Sequence, residues 1–410
     1  MSSSLNIEFL DPTTLDFVAN PYPTFAYFRD NKPVHWSPAV RAWVVTRYDD
    51  VRAVMLDQNL LSDTVTPFYR AQSEETQSKI EILFRYLGNW LVFKDPPDHA
   101  RIRRLASRVF INDTLQKVRP SVVGIVAHLM DGLEGQKEVD LVKQFSGPLP
   151  AYVIMDMLGI PRDQLANVKF WSDEISLFIA ASKNTPDKYD RARAGVEAMA
   201  AMLQELIDEQ RRSPKDNVLG MLVRARDDED GRLSDDELIA TSILFLFAGH
   251  ETTTNLISMS TLHMLEDPEQ RDQFVALDGA EPIAVAIEEF LRFDGPTPSM
   301  ARLAATDYTI GDVTFEAGQR VYAMLGSANR DPTVFDTPDK LNIARSPNRH
   351  VTFGYGAHFC LGAPLARMEA GIALPALHKR YPKMTMADEP QWSDGFTLRG
   401  PSSLPLVLQP

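Results

Sequence analysis

Phe353-Gly354-Tyr355-Gly356-Ala357-His358-Phe359-Cys360-Leu361-Gly362 contains the only cysteine among 410 residues and sets it in an unusual backbone. A lone thiol can ligate a metal or act as a nucleophile, but it cannot form an intramolecular disulfide. Three glycines in nine positions predict a tight loop in which the backbone approaches something closely. Past the cysteine, Leu361 to His378 reads as a helix with Pro364 in its first turn, where a missing N–H costs little. Cys360 therefore lies where backbone N–H groups converge and the helix dipole favours a thiolate. Without this context, a single cysteine reads as a small buried hydrophobe.

An ordered thiolate in a glycine-rich loop suits an axial bond to haem iron. Phe353, Gly356, His358, Cys360 and Gly362, with Arg367 beyond, resemble the haem-binding signature of cytochrome P450, the haem-thiolate monooxygenases. The resemblance implies a b-type haem (iron protoporphyrin IX) with Cys360 as the proximal metal ligand. It also implies a propionate bond from His358, and contact of Phe353, Gly354 and Gly362 with the cofactor.

A second stretch, Ala248-Gly249-His250-Glu251-Thr252-Thr253, lies in a long helix. Ser234-Asp235-Asp236-Glu237 has the form of a capping box at its start. Running to Glu266, its roughly 30 residues would span ~45 Å at 1.5 Å each. This stretch is similar to the family's oxygen-activation motif. The small pair Ala248 and Gly249 leaves room for dioxygen, Thr252 can donate and accept a hydrogen bond, and Glu251 can pass protons inward. Read without the resemblance, Thr252 would simply bond back to its own helical turn.

Three more matches follow the family's order. His99 and Arg103 are spaced i, i+4 on a helix that Pro96-Pro97 opens, and the pair can grip one anion. In the family such a pair binds the haem propionates, and Arg302 resembles a further propionate ligand. Glu289 and Arg292, joined by Arg345, match a buried structural ion network.

Composition bounds the alternatives. Hydrophobic residues make up 44% of the chain, enough for a large core, and the 28 prolines are spread without marking a linker. A single domain over 1–410 is expected. The longest apolar run, about Leu238 to Gly249, falls short of the ~18 residues of a membrane span, and Met1 to Pro12 lacks the pattern of a signal peptide. A soluble, cytoplasmic monomer with no membrane partner is expected. A net charge of −14 speaks against nucleic acid as a partner.

Charge is uneven, however. Between Lys94 and Arg119, seven basic residues (Lys94, Arg101, Arg103, Arg104, Arg108, Lys117, Arg119) face three acidic ones, and Arg345 to Arg367 holds three arginines and no acid. These segments are either a docking patch for an acidic partner or ordinary solvated helix faces.

Elsewhere the pattern predicts helices over 21–30, 48–56, 74–87, 99–110, 121–133, 148–158, 162–181, 188–212 and 284–293. Strands are expected over 34–36, 42–46, 308–313, 319–324 and 397–408. The fold class is mainly α with small β-sheets. Trp90, Leu91, Phe93, Phe178, Leu244, Phe247, Ala248, Ser299, Met300 and Phe396 are candidate substrate-lining residues, with Ile179 beside them; the resemblance implies this for Phe178 and Ile179, by helices that roof the family's cavity, and for Phe396, on a C-terminal turn that dips into it. Their character points to a hydrophobic small molecule. Arg70, Lys79 and Arg85 either anchor a substrate carboxylate or face solvent.

The expected reaction is insertion of one atom of O2 into that substrate, commonly hydroxylation. Electrons would come from NAD(P)H through a separate reductase and an acidic ferredoxin or flavodoxin, since no flavin- or ferredoxin-like segment is seen. Two other classes stay open: a haem enzyme that uses peroxide directly, and a non-enzymatic haem sensor or carrier.

Overall fold

The computed structural model describes residues 8–179, 185, 187–227, 233–393 and 395–409. The chain is mainly helical with small sheets. Among the described residues no helix is long and apolar enough to cross a membrane.

Local signals set many boundaries. Ser73 caps the Glu74–Leu87 helix by accepting from the Thr76 N–H. Gly159, at φ +77°, ends the Pro148–Leu158 helix in the left-handed conformation that glycine adopts without strain. The long helix runs over Asp235–Glu266, and its capping box forms. Glu237 N–H donates to Ser234 Oγ at 3.1 Å, and Ser234 N–H donates to Glu237 Oε2 at 2.8 Å.

Several expected boundaries are corrected. A helix expected from Ser121 starts at Asn112 and runs to Leu133 with Pro120 inside it. Leu115, Val122, Ile125, Val126 and Leu129 form a buried stripe across the proline, and burying that stripe outweighs one lost backbone bond. The His99 helix spans Asp98–Ala106 and tightens into a 3-10 turn over Ser107–Phe110. A 3-10 turn, Arg162–Gln164, likewise precedes the Leu165–Ile179 helix, whose expected end at Ala181 lies outside the described residues. The helix after the cysteine loop is Ala363–Arg380.

The strand expected over 308–313 is a hairpin, Tyr308–Ile310 with Val313–Phe315, turned at Gly311 with φ +57°. The strand expected over 397–408 is confined to Pro401–Ser403 and Pro405–Val407.

The fold divides into two compact units. The first comprises residues 1–62, 255–360 and 377–410 and carries a five-stranded sheet. In order its strands are Val34–Ser37, Ala42–Val45, Arg320–Ala323, Met300–Ala304 and Leu60–Leu61. Ala42–Val45 pairs parallel to Arg320–Ala323, and the other pairings are antiparallel. One face packs Val45, Val54, Met55, Phe315, Val321 and Phe335 into a core. The other packs Phe17, Phe25, Phe28, Tyr322 and Phe396.

The second unit comprises residues 63–254 and 361–376. Its Leu165–Ile179 and Lys188–Arg212 helices cross closely at Gly195, where an added Cβ would lie 2.9 Å from the Trp171 carbonyl oxygen. A bidentate pair, Arg191 with Glu174 at 2.5 and 2.7 Å, ties the same helices together.

Candidate functional site

The cysteine loop belongs to the first unit. Its ends are closed by Cys360 N–H donating to Phe353 O at 2.9 Å, with further turns from Gly354 N–H to Val351 O and from Phe359 N–H to Gly356 O. Gly354 and Gly356 have φ of +74° and +71°, so both turns need residues free of Cβ strain. Added Cβ atoms there would meet Met55 Cε at 3.4 Å and Leu56 Cδ2 at 3.0 Å, so the loop bends directly over the Tyr48–Leu56 helix. The Cys360 thiol is exposed. His358, half-buried, lies with Nε2 3.0 Å from Ser62 Oγ, a neighbour that sequence spacing of 296 positions could not reveal.

Glu289, Arg292 and Arg345 come together as expected. Glu289 and Arg292 are fully buried and paired twice, at 2.7 and 2.8 Å, and Arg345 Nε donates to Glu289 Oε2 at 3.0 Å. Asn342 N–H and Asn348 Nδ2 also donate to the same carboxylate. Arg292 spends its remaining donors on the carbonyls of Asn329, Pro338 and Lys340. Two guanidinium charges thus share one carboxylate, and backbone carbonyls take the donors left over.

Arg302 is 2% exposed on the Met300–Ala304 strand and donates to Ala301 O at 2.8 Å. Ser299 is buried and donates to Phe396 O at 3.0 Å, and Met300 is half-buried at the sheet. Phe396 stacks edge-on to Tyr322 at 4.8 Å, so its ring is a core member of the first unit.

In the second unit, His99 is 3% exposed and Arg103 half-buried on one helix. Their neighbour Arg101 forks onto Glu237 at 2.5 and 3.0 Å and onto Asp98 at 3.0 Å. Arg101 thus locks the start of the long helix, and Lys117 pairs with Asp216 at 3.5 Å. Both pairings draw on the basic segment noted in the sequence. Lys79 pairs with Glu75, and Arg85 forks onto Asp236, so these two cations meet the chain's own carboxylates.

The middle of the long helix departs from its surroundings. Thr241 through Phe247 are buried, yet Ala248 is exposed and Gly249, Glu251 and Thr252 are half-exposed. Gly249 has a packing role as well, because an added Cβ would lie 3.2 Å from Ile154 Cγ1. Thr252 Oγ1 donates to Ala248 O at 2.9 Å, the back-bond that helical geometry offers it.

His250 Nδ1 lies 2.6 Å from Leu246 O, and since a carbonyl only accepts, Nδ1 carries the hydrogen. His250 Nε2 then faces Glu251 Oε1 at 3.1 Å, a contact that is favourable when a proton lies between them. Desolvation pushes the Glu251 carboxyl up, but His250 and Lys169 outweigh it and leave Glu251 below its ordinary value. Asp173 keeps solvent contact, yet crowding around its carboxyl and then the Glu251 charge push it up to about 6. Lys169, Asp173 and His250 were not singled out from sequence. Their signal was the i, i+4 spacing of Lys169 and Asp173, which puts both on one face of the Leu165–Ile179 helix.

The candidate lining residues of this unit form two aromatic groups. Trp90 stacks on Phe93 at 6.2 Å and lies 5.3 Å from Phe247, with Leu91 and Leu244 also buried. Phe178 is edge-on to Phe68 at 5.8 Å and to Tyr189 at 6.2 Å.

The donor set fits an iron porphyrin. In the first unit the accessible thiol on a closed loop offers a sulfur ligand, and Arg302 and His358 are of the types that bind a propionate; in the second unit His99 and Arg103 are of those types too. The Ala248-Gly249 step offers a small-residue surface next to the buried run Thr241 to Phe247.

Comparison with known proteins points the same way. The sequence model of the family described as "Cytochrome P450" matches residues 36–274 and 283–398. The biotin biosynthesis cytochrome P450 of Bacillus subtilis is 34% identical over 397 residues, covering 96% of this chain and 98% of that protein. The 6-deoxyerythronolide B hydroxylase of Saccharopolyspora erythraea is 34% identical over 402 residues, covering 94% and 96%. The crystal structure of P450BioI in complex with an acyl carrier protein ligated to hexadec-9Z-enoic acid superposes with a TM-score of 0.88 at 33% identity, covering 96% of this chain and 99% of that one.

Proposed function

Because the chain belongs to the cytochrome P450 family of haem-thiolate monooxygenases, we propose that it hydroxylates a hydrophobic small molecule with electrons from a separate acidic ferredoxin and its NAD(P)H-dependent reductase. The observation that carries this reading is the exposed Cys360 thiol on its closed, glycine-turned loop. When bound, the haem supplies the oxygen-activating chemistry. Cys360 would supply the sulfur ligand to its iron, and His99, Arg103, Arg302 and His358 would hold the propionates. Phe353, Gly354 and Gly362 would lie against the haem.

On the oxygen side, Thr252 moves a proton at Oγ1 once that hydroxyl turns from the Ala248 carbonyl, which it now satisfies. Glu251, held below the ordinary carboxylate range, accepts protons as the anion. Asp173, at about 6, takes up and releases protons close to neutrality. The aromatic groups around Trp90 and Phe178 supply the apolar wall. A long apolar acyl chain on a carrier protein is bound by a relative, in keeping with a hydrophobic substrate for this chain. Arg104 and Arg108 are exposed and serve the ferredoxin contact.

The decisive measurement is the absorption spectrum of the reduced holoprotein under carbon monoxide. A strongly red-shifted Soret band is expected and should disappear in Cys360→Ser; retention of that band in the variant overturns the reading. Hydroxylation is tested with a compound found by its low-spin to high-spin absorbance change. With the ferredoxin and reductase present, Thr252→Ala should keep consuming NAD(P)H but release more hydrogen peroxide and less product. A peroxide-using enzyme would turn over equally well with hydrogen peroxide alone, and a sensor would show no product in either assay. Arg104→Gln and Arg108→Gln should slow reduction by the ferredoxin and flatten its dependence on salt.

A further inference from the structure

A charged cluster apart from the residues above fastens the C-terminal turn of the first unit. Asp294, immediately after the Ala280–Phe293 helix, is 2% exposed. Its Oδ1 accepts from the Tyr22 hydroxyl at 2.7 Å and from Arg399 Nε at 3.2 Å, and its Oδ2 lies 3.1 Å from His263 Nε2. The other ring nitrogen, His263 Nδ1, meets Glu266 Oε2 at 2.8 Å. Both imidazole nitrogens thus face carboxylate oxygens, so both must donate, and the bridging ring is the imidazolium. Arg399 also donates to the carbonyls of Val18 and Ala19 and lies 4.4 Å from the centre of the Trp392 ring. Arg330 covers the far side, 3.4 Å from the Tyr22 ring and 3.9 Å from Phe293.

The cluster grips a turn that is also tied by hydrogen bonds and packing. Arg399 N–H donates to Pro296 O at 2.9 Å, and Ser299 Oγ donates to Phe396 O at 3.0 Å. A Cβ at Gly400 would fall 2.1 Å from Asn255 Oδ1, so the turn also presses against the long helix one turn beyond Thr252. Beneath it lies a cavity of about 10 Å³, bordered by Phe17, Phe25, Pro298, Met324, Phe396 and Arg399.

We propose that His263 and Asp294 are positioning residues for substrate binding: the imidazolium bridge orients Asp294 toward Arg399 and so fixes the Phe396 turn and Ser299. That these two segments face substrate is what the family resemblance implies for Ser299 and Phe396, so the proposal rests on the family reading of the preceding subsection. Burial opposes a charge on His263, but Asp294 and Glu266 more than offset it and raise its proton affinity. The bridge is therefore complete below the ordinary histidine range and is lost as pH rises through the raised value. Above that value one ring nitrogen without hydrogen faces a carboxylate, and Asp294 is left to Tyr22 and Arg399.

The test is hydrogen exchange of the holoenzyme from about pH 7 to pH 10, reading the amides of residues 395–400 after correction for the intrinsic rate. A parallel Soret titration with 4-phenylimidazole reports the affinity of an apolar ligand. Exchange in the turn should rise on the order of 10-fold in a single step, and the azole affinity should fall with the same midpoint. Glu266→Gln, which alters a side chain 60% exposed, should move that midpoint to lower pH. His263→Gln should abolish the step and exchange at pH 7 as fast as the wild type does at alkaline pH. A wild-type profile without a step, a midpoint unmoved in Glu266→Gln, or azole affinity that ignores the step overturns the positioning role. Failure of the carbon monoxide spectrum would instead overturn the family chemistry, leaving the exchange step in place.

Discussion

At the scale of single residues, Glu289 shows how one buried charge is made tolerable. Its two oxygens receive donors from Arg292, Arg345, Asn342 and Asn348, so the carboxylate loses water but no hydrogen bond. Glu289→Gln keeps the shape and strands two buried guanidinium groups without an anion. The expected cost is about 3–5 kcal/mol, read as a lower urea midpoint. Arg345→Lys should cost less, because one cation remains within reach. This network was legible from sequence because its Glu-x-x-Arg spacing is local and its third member lies in a recognisable order. The fork of Arg101 onto Glu237 was not legible: the partners are 136 positions apart, and nothing in either neighbourhood marks the other. Thr252 was legible in both of its readings. The structure shows the bland one, a bond to its own turn, in a residue whose half-exposed surroundings suit the other.

At the scale of elements, helix and turn signals were reliable where they were local and failed where packing overruled them. The helices expected over 74–87 and 148–158 formed with those bounds, whereas Pro120 did not stop its helix because the apolar stripe continues across it. Prolines at 401 and 405 bear on the opposite failure, since the C-terminal strand expected as one piece is two short ones. The crossing at Gly195 was hidden for a different reason, as a glycine inside a helical pattern carries no mark of what lies opposite. Ala there would ordinarily gain about 1 kcal/mol of helix propensity. Its Cβ would instead meet a backbone oxygen at 2.9 Å and Glu174 Cβ at 3.0 Å, and a carbonyl within a helix cannot swing aside. Gly195→Ala should therefore destabilise the protein by a net of about 1–2 kcal/mol, the overpacking cost exceeding the propensity gain. A thermal melt followed by circular dichroism checks the sign, and a raised midpoint would refute it. Ser234→Ala removes one half of the capping box and should cost about 1 kcal/mol by the same measurement.

For the molecule as a whole, buried histidines set how stability responds to acid. His35 is stacked on Phe28 with ring centres 3.9 Å apart, and burial lowers it to about 4. His378, fully buried beside Phe274, is lowered by burial and then by Arg271 to about 3. Both are neutral in the folded chain, while in the unfolded chain each takes up a proton below the ordinary histidine range. The stabilisation they confer is present above about pH 6.5 and is lost as pH falls toward their folded values. Each should withdraw about 1.5 kcal/mol between pH 6.5 and pH 5, so the pair should lower the unfolding free energy by about 3 kcal/mol in that interval. His263 works in the other direction, since its raised value makes its contribution fade toward alkaline pH. A stability maximum near neutrality follows from the two opposing sets. His378→Gln separates them: the acid-side fall should shrink by about half, because Gln cannot titrate, while the alkaline side stays as in the wild type. Urea unfolding of the holoenzyme at half-unit pH steps reads both limbs, and an acid limb of unchanged slope in the variant would show that His378 is not one of the groups responsible.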